Sequence, residues 1–215
     1  MADDSARLAM PIGEAIYSQR SIRRFRPDPI PEADLRLIIE AATKAPSGGN
    51  AQPARFLVLT DRALIKEFGT LYREAWWAKR RDEGQPWTTR EAIPDTLPNS
   101  QAAARLADEI ADAPCIVLAF SLRKGQASSV IPPVQNLMLA ARALGIGSVP
   151  TTLHPQVLDR AYALLGVPAE ADFHLCIPLG YPRGRFGPTN RKPVGEVTFL
   201  DRWGEAAPWA APTAE

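Results

Sequence analysis

Only two cysteines, Cys115 and Cys176, and two histidines, His154 and His174, occur in the 215 residues. Two thiols so far apart exclude a disulfide framework and a four-thiolate metal site, so no metal is expected. No HExxH pair, Walker loop, GxGxxG turn or Ser/His/Asp pattern is present. Gly145-Ile146-Gly147 looks like a dinucleotide turn, but it follows a helical stretch where a Rossmann turn must follow a strand. His174 lies inside an apolar run and reads as a satisfied structural histidine. Excess charge is also missing: 25 Lys and Arg face 24 Asp and Glu, a formal charge of +1. That balance argues against a nucleic-acid partner or a polybasic membrane-surface protein, both of which need clustered positive charge. The longest apolar run falls far short of the roughly 20 residues of a spanning helix. Residues 1–16 carry Asp3, Asp4, Arg7 and Glu14 and lack an apolar signal-peptide core. A cytoplasmic, reducing location is the plain expectation.

The residues that are abundant describe an ordinary globular chain, 46% hydrophobic and 23% charged. Its length suits one domain with insertions and can bury a core without staples. Proline is the outlier, with 21 residues scattered between apolar segments as loop punctuation. Residues 31–44 read as a helix: Pro31 suits the first turn, Glu32 and Asp34 its positive end, and Leu35, Ile38, Ile39 and Ala42 share one face. Residues 55–60, 115–120 and 173–179 read as strands buried on both faces by their near-continuous apolarity. Between them a helix runs through Leu64, Ile65 and Phe68. A helical excursion with loops covers 71–113 and includes a helix at 100–111. Pro132 opens a helix that Gly145 ends as a C′ residue. Residues 147–152 are a loop or short strand, and 156–165 are helical. Helices around at least three strands, with no repeat and no linker, give one α/β layered domain over 1–215.

With no nucleophile–base pair visible, an enzyme of this sequence depends on a bound cofactor. Three clusters stand out. Gln19-Arg20-Ser21-Ile22-Arg23-Arg24-Phe25-Arg26-Pro27 could hold a phosphate through charge-assisted bonds, or be a solvated basic edge. Ala45-Pro46-Ser47-Gly48-Gly49-Asn50-Ala51-Gln52-Pro53 offers close backbone approach and small amides, as a ring-binding wall needs, or is a plain loop. Gly184-Arg185-Phe186-Gly187-Pro188-Thr189-Asn190-Arg191-Lys192-Pro193 is a second basic loop. Two basic loops in a near-neutral chain suggest an anionic small ligand.

In this order, these stretches resemble the FMN-dependent nitroreductase family. The opening R-R-S-x-R-x-[FY] run is matched by Arg20-Ser21-Ile22-Arg23-Arg24-Phe25, and the A-P-S-x-x-N-x-Q-P segment by residues 45–53. The helix and turn beginning Gln135-Asn136-Leu137 and ending Gly145-Ile146-Gly147-Ser148 are a third match. Gly180-Tyr181-Pro182 with Arg191-Lys192-Pro193 is a fourth. The resemblance spans residues 16–197. It implies an α+β fold of three α/β/α layers, with a central, mostly antiparallel sheet and an intertwined homodimer holding FMN at the interface.

Carried over residue by residue, the resemblance makes Arg20 and Ser21 contacts to the FMN phosphate and ribityl chain. Arg23 comes near the phosphate or the pyrimidine edge, where a cation favours the reduced flavin. Pro46, Ser47, Asn50 and Gln52 belong to the loop that bonds the phosphate side and the ring's polar edge, and this loop can complete the partner's site. Gly147, Ser148, Val149, Pro150 and Thr151 form the turn whose backbone approaches the ring, and Arg191 completes the phosphate site. No protein side chain is expected to be catalytic, because the flavin carries the chemistry. Two departures stand out. Gln19 occupies a position where many relatives have arginine, and Pro150 replaces a common aromatic. Trp76, Trp77 and Trp87 form either a substrate-selecting lid or the packing of a helical pair. Trp203 and Trp209, in the arm at 198–215, either wrap a partner or belong to a frayed terminus. The function implied is ping-pong oxidoreduction from NADH or NADPH, through FMN, to a nitroaromatic, quinone or related acceptor. The rivals are a specialised dehalogenase, enoate or ring reductase, a flavin-destroying enzyme, and a non-catalytic flavin binder.

Overall fold

The three apolar runs become the long strands of one sheet. These are β1 (Ala54–Leu59), β2 (Cys115–Ser121) and β4 (Asp172–Gly180), joined by a two-residue strand β3 (Gly147–Ser148) in the order β1-β2-β4-β3. The computed structural model describes residues 4–210. Every pairing in the sheet is antiparallel, with Val117 opposite Val58 on one side and Ile177 on the other. Near-continuous apolarity usually marks parallel strands, but here it has a different cause: helices cover both faces of an antiparallel sheet. Alternation sorts the side chains of β2. Ile116, Leu118 and Phe120 pack with Ile65, Phe68, Tyr72, Ile110 and Val157, whereas Cys115, Val117 and Ala119 pack with Leu35, Ile38, Val134, Leu137 and Ala141. The result is the expected three layers of an α+β fold.

One face is covered by α2 (Glu32–Thr43) and α5 (Ile131–Ala143), the other by α3 (Arg62–Asp82), α4 (Pro98–Glu109) and α6 (Pro155–Leu165). A short α1 (Ile12–Ser18) precedes them. The α3 N-terminus is capped by Asp61, whose carboxylate accepts the Leu64 N–H at 2.7 Å. The sequence places a change of pattern at Leu71, yet α3 continues to Asp82, because Ile65, Phe68, Tyr72, Ala75 and Ala78 keep one stripe on the core. The excursion is therefore the second half of α3, a loop and α4. Gly69 lets α3 meet the turn after α4: a Cβ there would stand 2.8 Å from that of Ala111.

The sheet edge that frames the site depends on α5's ending. Gly145 takes φ +72°, and the Ile146 N–H returns to the Ala141 carbonyl at 2.8 Å, turning the chain sharply into β3. Outside β3 runs the arginine-rich segment, with Ser21 paired in parallel to Ser148 and the Ile22 N–H donating to the Ser148 carbonyl at 2.9 Å. Further along, residues 24–26 lie antiparallel to 181–183: the Arg26 N–H meets the Tyr181 carbonyl at 2.8 Å and the Arg183 N–H meets the Arg24 carbonyl at 3.1 Å. Thr151 returns to the sheet through two backbone bonds with Cys176, at 2.9 and 2.8 Å.

No described helix is long and apolar enough to cross a membrane. Ile12, Ile16 and Tyr17 of α1 are exposed, as are Trp203 and Trp209 of the arm, with Trp203 92% exposed. Residues 211–215 of that arm lie outside the described residues.

Candidate functional site

The segment held against β3 opens into a cavity of about 340 Å³ lined by Arg20, Ser21, Ile22, Arg23, Arg24, Arg183, Gly184 and Arg185. Arg24 is paired with Glu109 at 3.1 Å, and Arg183 Nε donates to the Phe25 carbonyl at 2.7 Å. Arg20, Arg23 and Arg185 have no acidic partner among the described residues. Arg23 is half-buried, and desolvation pulls its guanidinium pKa below the ordinary value; the Tyr72 phenol opposes this and neighbouring Arg20 adds to it. Guanidinium groups stay protonated in proteins, so the cavity concentrates uncompensated positive charge around one space, where an anion would be favoured.

Beside Arg23, the Tyr72 hydroxyl and the Thr151 Oγ1 are hydrogen-bonded at 2.8 Å. Burial raises the Tyr72 phenol above its ordinary value, and Cys176 contributes, while the bond to Thr151 and the charge of Arg23 oppose it. The phenol therefore stays protonated. Tyr72 was not among the residues singled out from sequence; its signal there is a polar tip within the apolar stripe of α3. Sequence alone does not single out Arg183 or Arg185 either, although Arg185 lies in the second basic loop at 184–193.

The structure thus brings Arg20, Ser21 and Arg23 to the same sheet end as the turn Gly147, Ser148, Val149, Pro150 and Thr151. Ser148 and Val149 are buried and Pro150 is exposed. The loop of Pro46, Ser47, Asn50 and Gln52 does not line the arginine cavity. Its Gly48 N–H donates to Ser129 Oγ at 3.2 Å and its Gln52 N–H to Ser47 Oγ at 2.9 Å. Asn50 and Gln52 both adopt left-handed backbone, φ 54° and 48°, and the Gln52 amide donates to Asn50 Oδ1 at 3.1 Å. Two non-glycine residues in that region of φ/ψ space on an exposed loop are strained, and such strain clusters at functional sites. Arg191 is exposed and donates to the Asn190 carbonyl at 2.9 Å.

Of the tryptophans, Trp77 is buried with Ile93 and Ala104, and Trp76 and Trp87 pack against that same cluster. Trp76 meets Trp77 edge-on at 4.6 Å and lies under the Arg80 guanidinium at 5.2 Å. His174 Nε2 is bonded to Ser121 Oγ at 2.8 Å, and Asp172 stands 3.8 Å from the same nitrogen. In a triad the carboxylate orients the other ring nitrogen, so this cluster is not one. Ser121 is fully buried and also donates to the Arg123 carbonyl. No cluster of metal-ligating side chains occurs among the described residues.

The Nitroreductase family model matches residues 16–181. An NADH dehydrogenase of Thermus thermophilus is 34% identical over 201 residues, 86% of this chain and 93% of its own. An iodotyrosine deiodinase of Thermotoga neapolitana is 30% identical over 169 residues, 76% of this chain and 84% of its own. A crystal structure of oxidized iodotyrosine deiodinase bound to FMN and 3-iodo-L-tyrosine superposes with a TM-score of 0.69 at 26% identity, covering 90% of this chain and 99% of that one.

Proposed function

Because the chain belongs to the Nitroreductase family, we propose that it is an FMN-dependent oxidoreductase that takes its electrons from NADH or NADPH. The observation that carries this reading is the half-buried Arg23, without an acidic partner among the described residues, in the arginine-lined cavity beside the hydrogen-bonded Tyr72 and Thr151. A phosphate-bearing flavin fits that donor set: several cations for one dianion, hydroxyls beside them, and a backbone turn at the sheet edge. Bound FMN supplies hydride chemistry, passing reducing equivalents from a reduced nicotinamide to a nitroaromatic, quinone or related small acceptor in a ping-pong cycle.

The chain's own residues bind and bias. Arg20, Ser21 and Arg191 would hold the phosphate and ribityl end. Arg23 would hold positive charge toward the pyrimidine edge, where partial burial strengthens its field relative to bulk water. Residues 147–151 would present backbone and the Thr151 hydroxyl to the ring, with Tyr72 fixing that hydroxyl. No side chain is asked to act as nucleophile or metal ligand.

The second chain of a homodimer would supply the Ser47–Asn50 loop, which does not line the arginine cavity of its own chain and carries left-handed backbone at Asn50. The exposed Ile12, Ile16, Tyr17, Trp203 and Trp209 offer apolar surface for such an assembly. Trp76, Trp77 and Trp87 would then border the entrance used by the acceptor.

A second reading, reductive dehalogenation of a haloaromatic on the same cofactor, draws on the likeness to iodotyrosine deiodinases. Initial rates with varied NADH or NADPH against a nitroaromatic, a quinone and 3-iodotyrosine decide between them. Parallel double-reciprocal lines with a nitroaromatic or quinone support the main reading. Turnover of 3-iodotyrosine far above that of every nitro compound or quinone selects the second.

A further inference from the structure

The cavity holds more positive charge than the family motif supplies. Of its arginines, Arg20 and Arg23 come from the motif, Arg24 is engaged by Glu109, and Arg183 and Arg185 arrive from the segment after β4. Nothing cationic precedes Arg20: Gln19 stands there, and its amide is turned toward Met138 Sδ at 3.9 Å.

Arg185 is exposed and makes no ion pair among the described residues, yet its backbone is fixed from both sides. On one side Arg183 is pinned by its N–H to the Arg24 carbonyl at 3.1 Å and by its Nε to the Phe25 carbonyl at 2.7 Å. On the other, the Phe186 ring lies under the Arg142 guanidinium at 4.2 Å and the Gly187 N–H meets the Ser18 carbonyl at 3.2 Å. Arg142 is itself held by Ser18 Oγ at 2.8 Å and Glu14 at 3.5 Å. Five residues anchored at both ends around one free guanidinium make a preorganised donor, and preorganisation reduces the ordering cost of binding.

We propose that Arg185 is a phosphate-binding residue of this site, closing with Arg20 on the terminal phosphate monoester of the flavin and supplying the charge that Gln19 does not. The proposal rests on the flavin reading above. Arg185 acts on the phosphate alone, so it discriminates FMN from riboflavin. It is exposed and unpacked, so its replacement leaves the fold intact.

Flavin-loaded protein, carrying FMN or, by exchange, riboflavin, is diluted and the released flavin read by its fluorescence. Replacing Arg185→Gln raises the FMN dissociation constant by about tenfold, the size of one lost charge-assisted contact. The riboflavin constant stays unchanged, and the salt dependence of FMN binding becomes shallower. Arg185→Lys recovers part of the loss, because it keeps the charge without the planar fork. Unchanged FMN affinity in Arg185→Gln overturns the proposal while leaving the flavin reading intact. Equal weakening of both flavins also overturns it, since that is a structural effect. If the unaltered protein binds neither flavin, the reading falls and the proposal with it.

Discussion

Ile22 lies so close to Gly147 that a Cβ on Gly147 would stand 2.7 Å from the Ile22 Cβ. That approach seats the arginine segment on the edge of β3 and brings Arg20, Ser21 and Arg23 beside the turn after it. Gly147→Ala must therefore push the two segments apart. The expected loss is about 1–3 kcal/mol of stability, the cost of overpacking, together with weaker FMN retention. Gly13→Ala is the control, since a Cβ at Gly13 meets nothing within 4 Å. Denaturant melts and flavin content of the two purified variants check both points.

Tyr72 and Thr151 share one hydrogen bond within the core. Tyr72→Phe keeps the ring and removes the bond, leaving the Thr151 hydroxyl without its partner. A destabilisation of about 1 kcal/mol is expected in urea unfolding, alongside a shift in the bound flavin's visible spectrum. An unchanged spectrum would separate Tyr72 from the site.

Buried weak acids set an alkaline limit on stability. Burial pushes the Cys115 thiol from 9.0 up to about 12, and raises Cys176 and Tyr72 as well. Each group holds its proton more tightly folded than unfolded, so its contribution is complete below the unfolded value and is lost as pH rises toward the folded one. Thermal midpoints should stay level through neutrality and fall between pH 9.0 and about 12. Both thiols should resist aromatic disulfide reagents at neutral pH until the chain unfolds.

The tryptophans separate packing from substrate selection. Trp77→Ala should cost about 3–5 kcal/mol, as truncation of a buried aromatic does. Trp76→Ala and Trp87→Ala should be milder in melts but change the KM for the acceptor. If KM and substrate preference stay fixed in both, the lid role is wrong and the cluster only packs α3 against α4.

Much of the layering was legible because hydrophobic pattern is local. The run at 55–60 becomes β1 shifted by one residue to 54–59, those at 115–120 and 173–179 grow by one and two residues into β2 and β4, and Gly145 ends α5 through its positive φ, as its position suggests. Strand direction was not legible from apolarity, since Val117 is buried on both sides of either kind of sheet. The extent of α3 was obscured by the charged residues 79–83, although Tyr72 and Ala75 continue its buried stripe. For the site, Arg20, Ser21 and Arg23 were marked by composition and motif. Arg183 and Tyr72 join them only through long-range pairings, Arg183 to Phe25 across 158 residues and Tyr72 to Thr151 across 79. No local pattern encodes those. The role proposed for the Ser47–Asn50 loop would be played in a second chain's site, outside the reach of one chain's geometry.

Assembly is open to a direct check. Sedimentation of the purified protein should give twice the monomer mass. Arg20→Glu and Arg191→Glu should abolish FMN retention without changing that mass, because both side chains are exposed. Full flavin content in both variants would remove the phosphate assignment.

The central claim is tested by the visible absorption of the purified protein, recorded anaerobically before and after NADH and then NADPH. A yellow protein that bleaches with one of the two is the result expected of an FMN oxidoreductase, and it identifies the donor. A colourless protein that takes up no added FMN, or a yellow one that neither nucleotide bleaches, would contradict it.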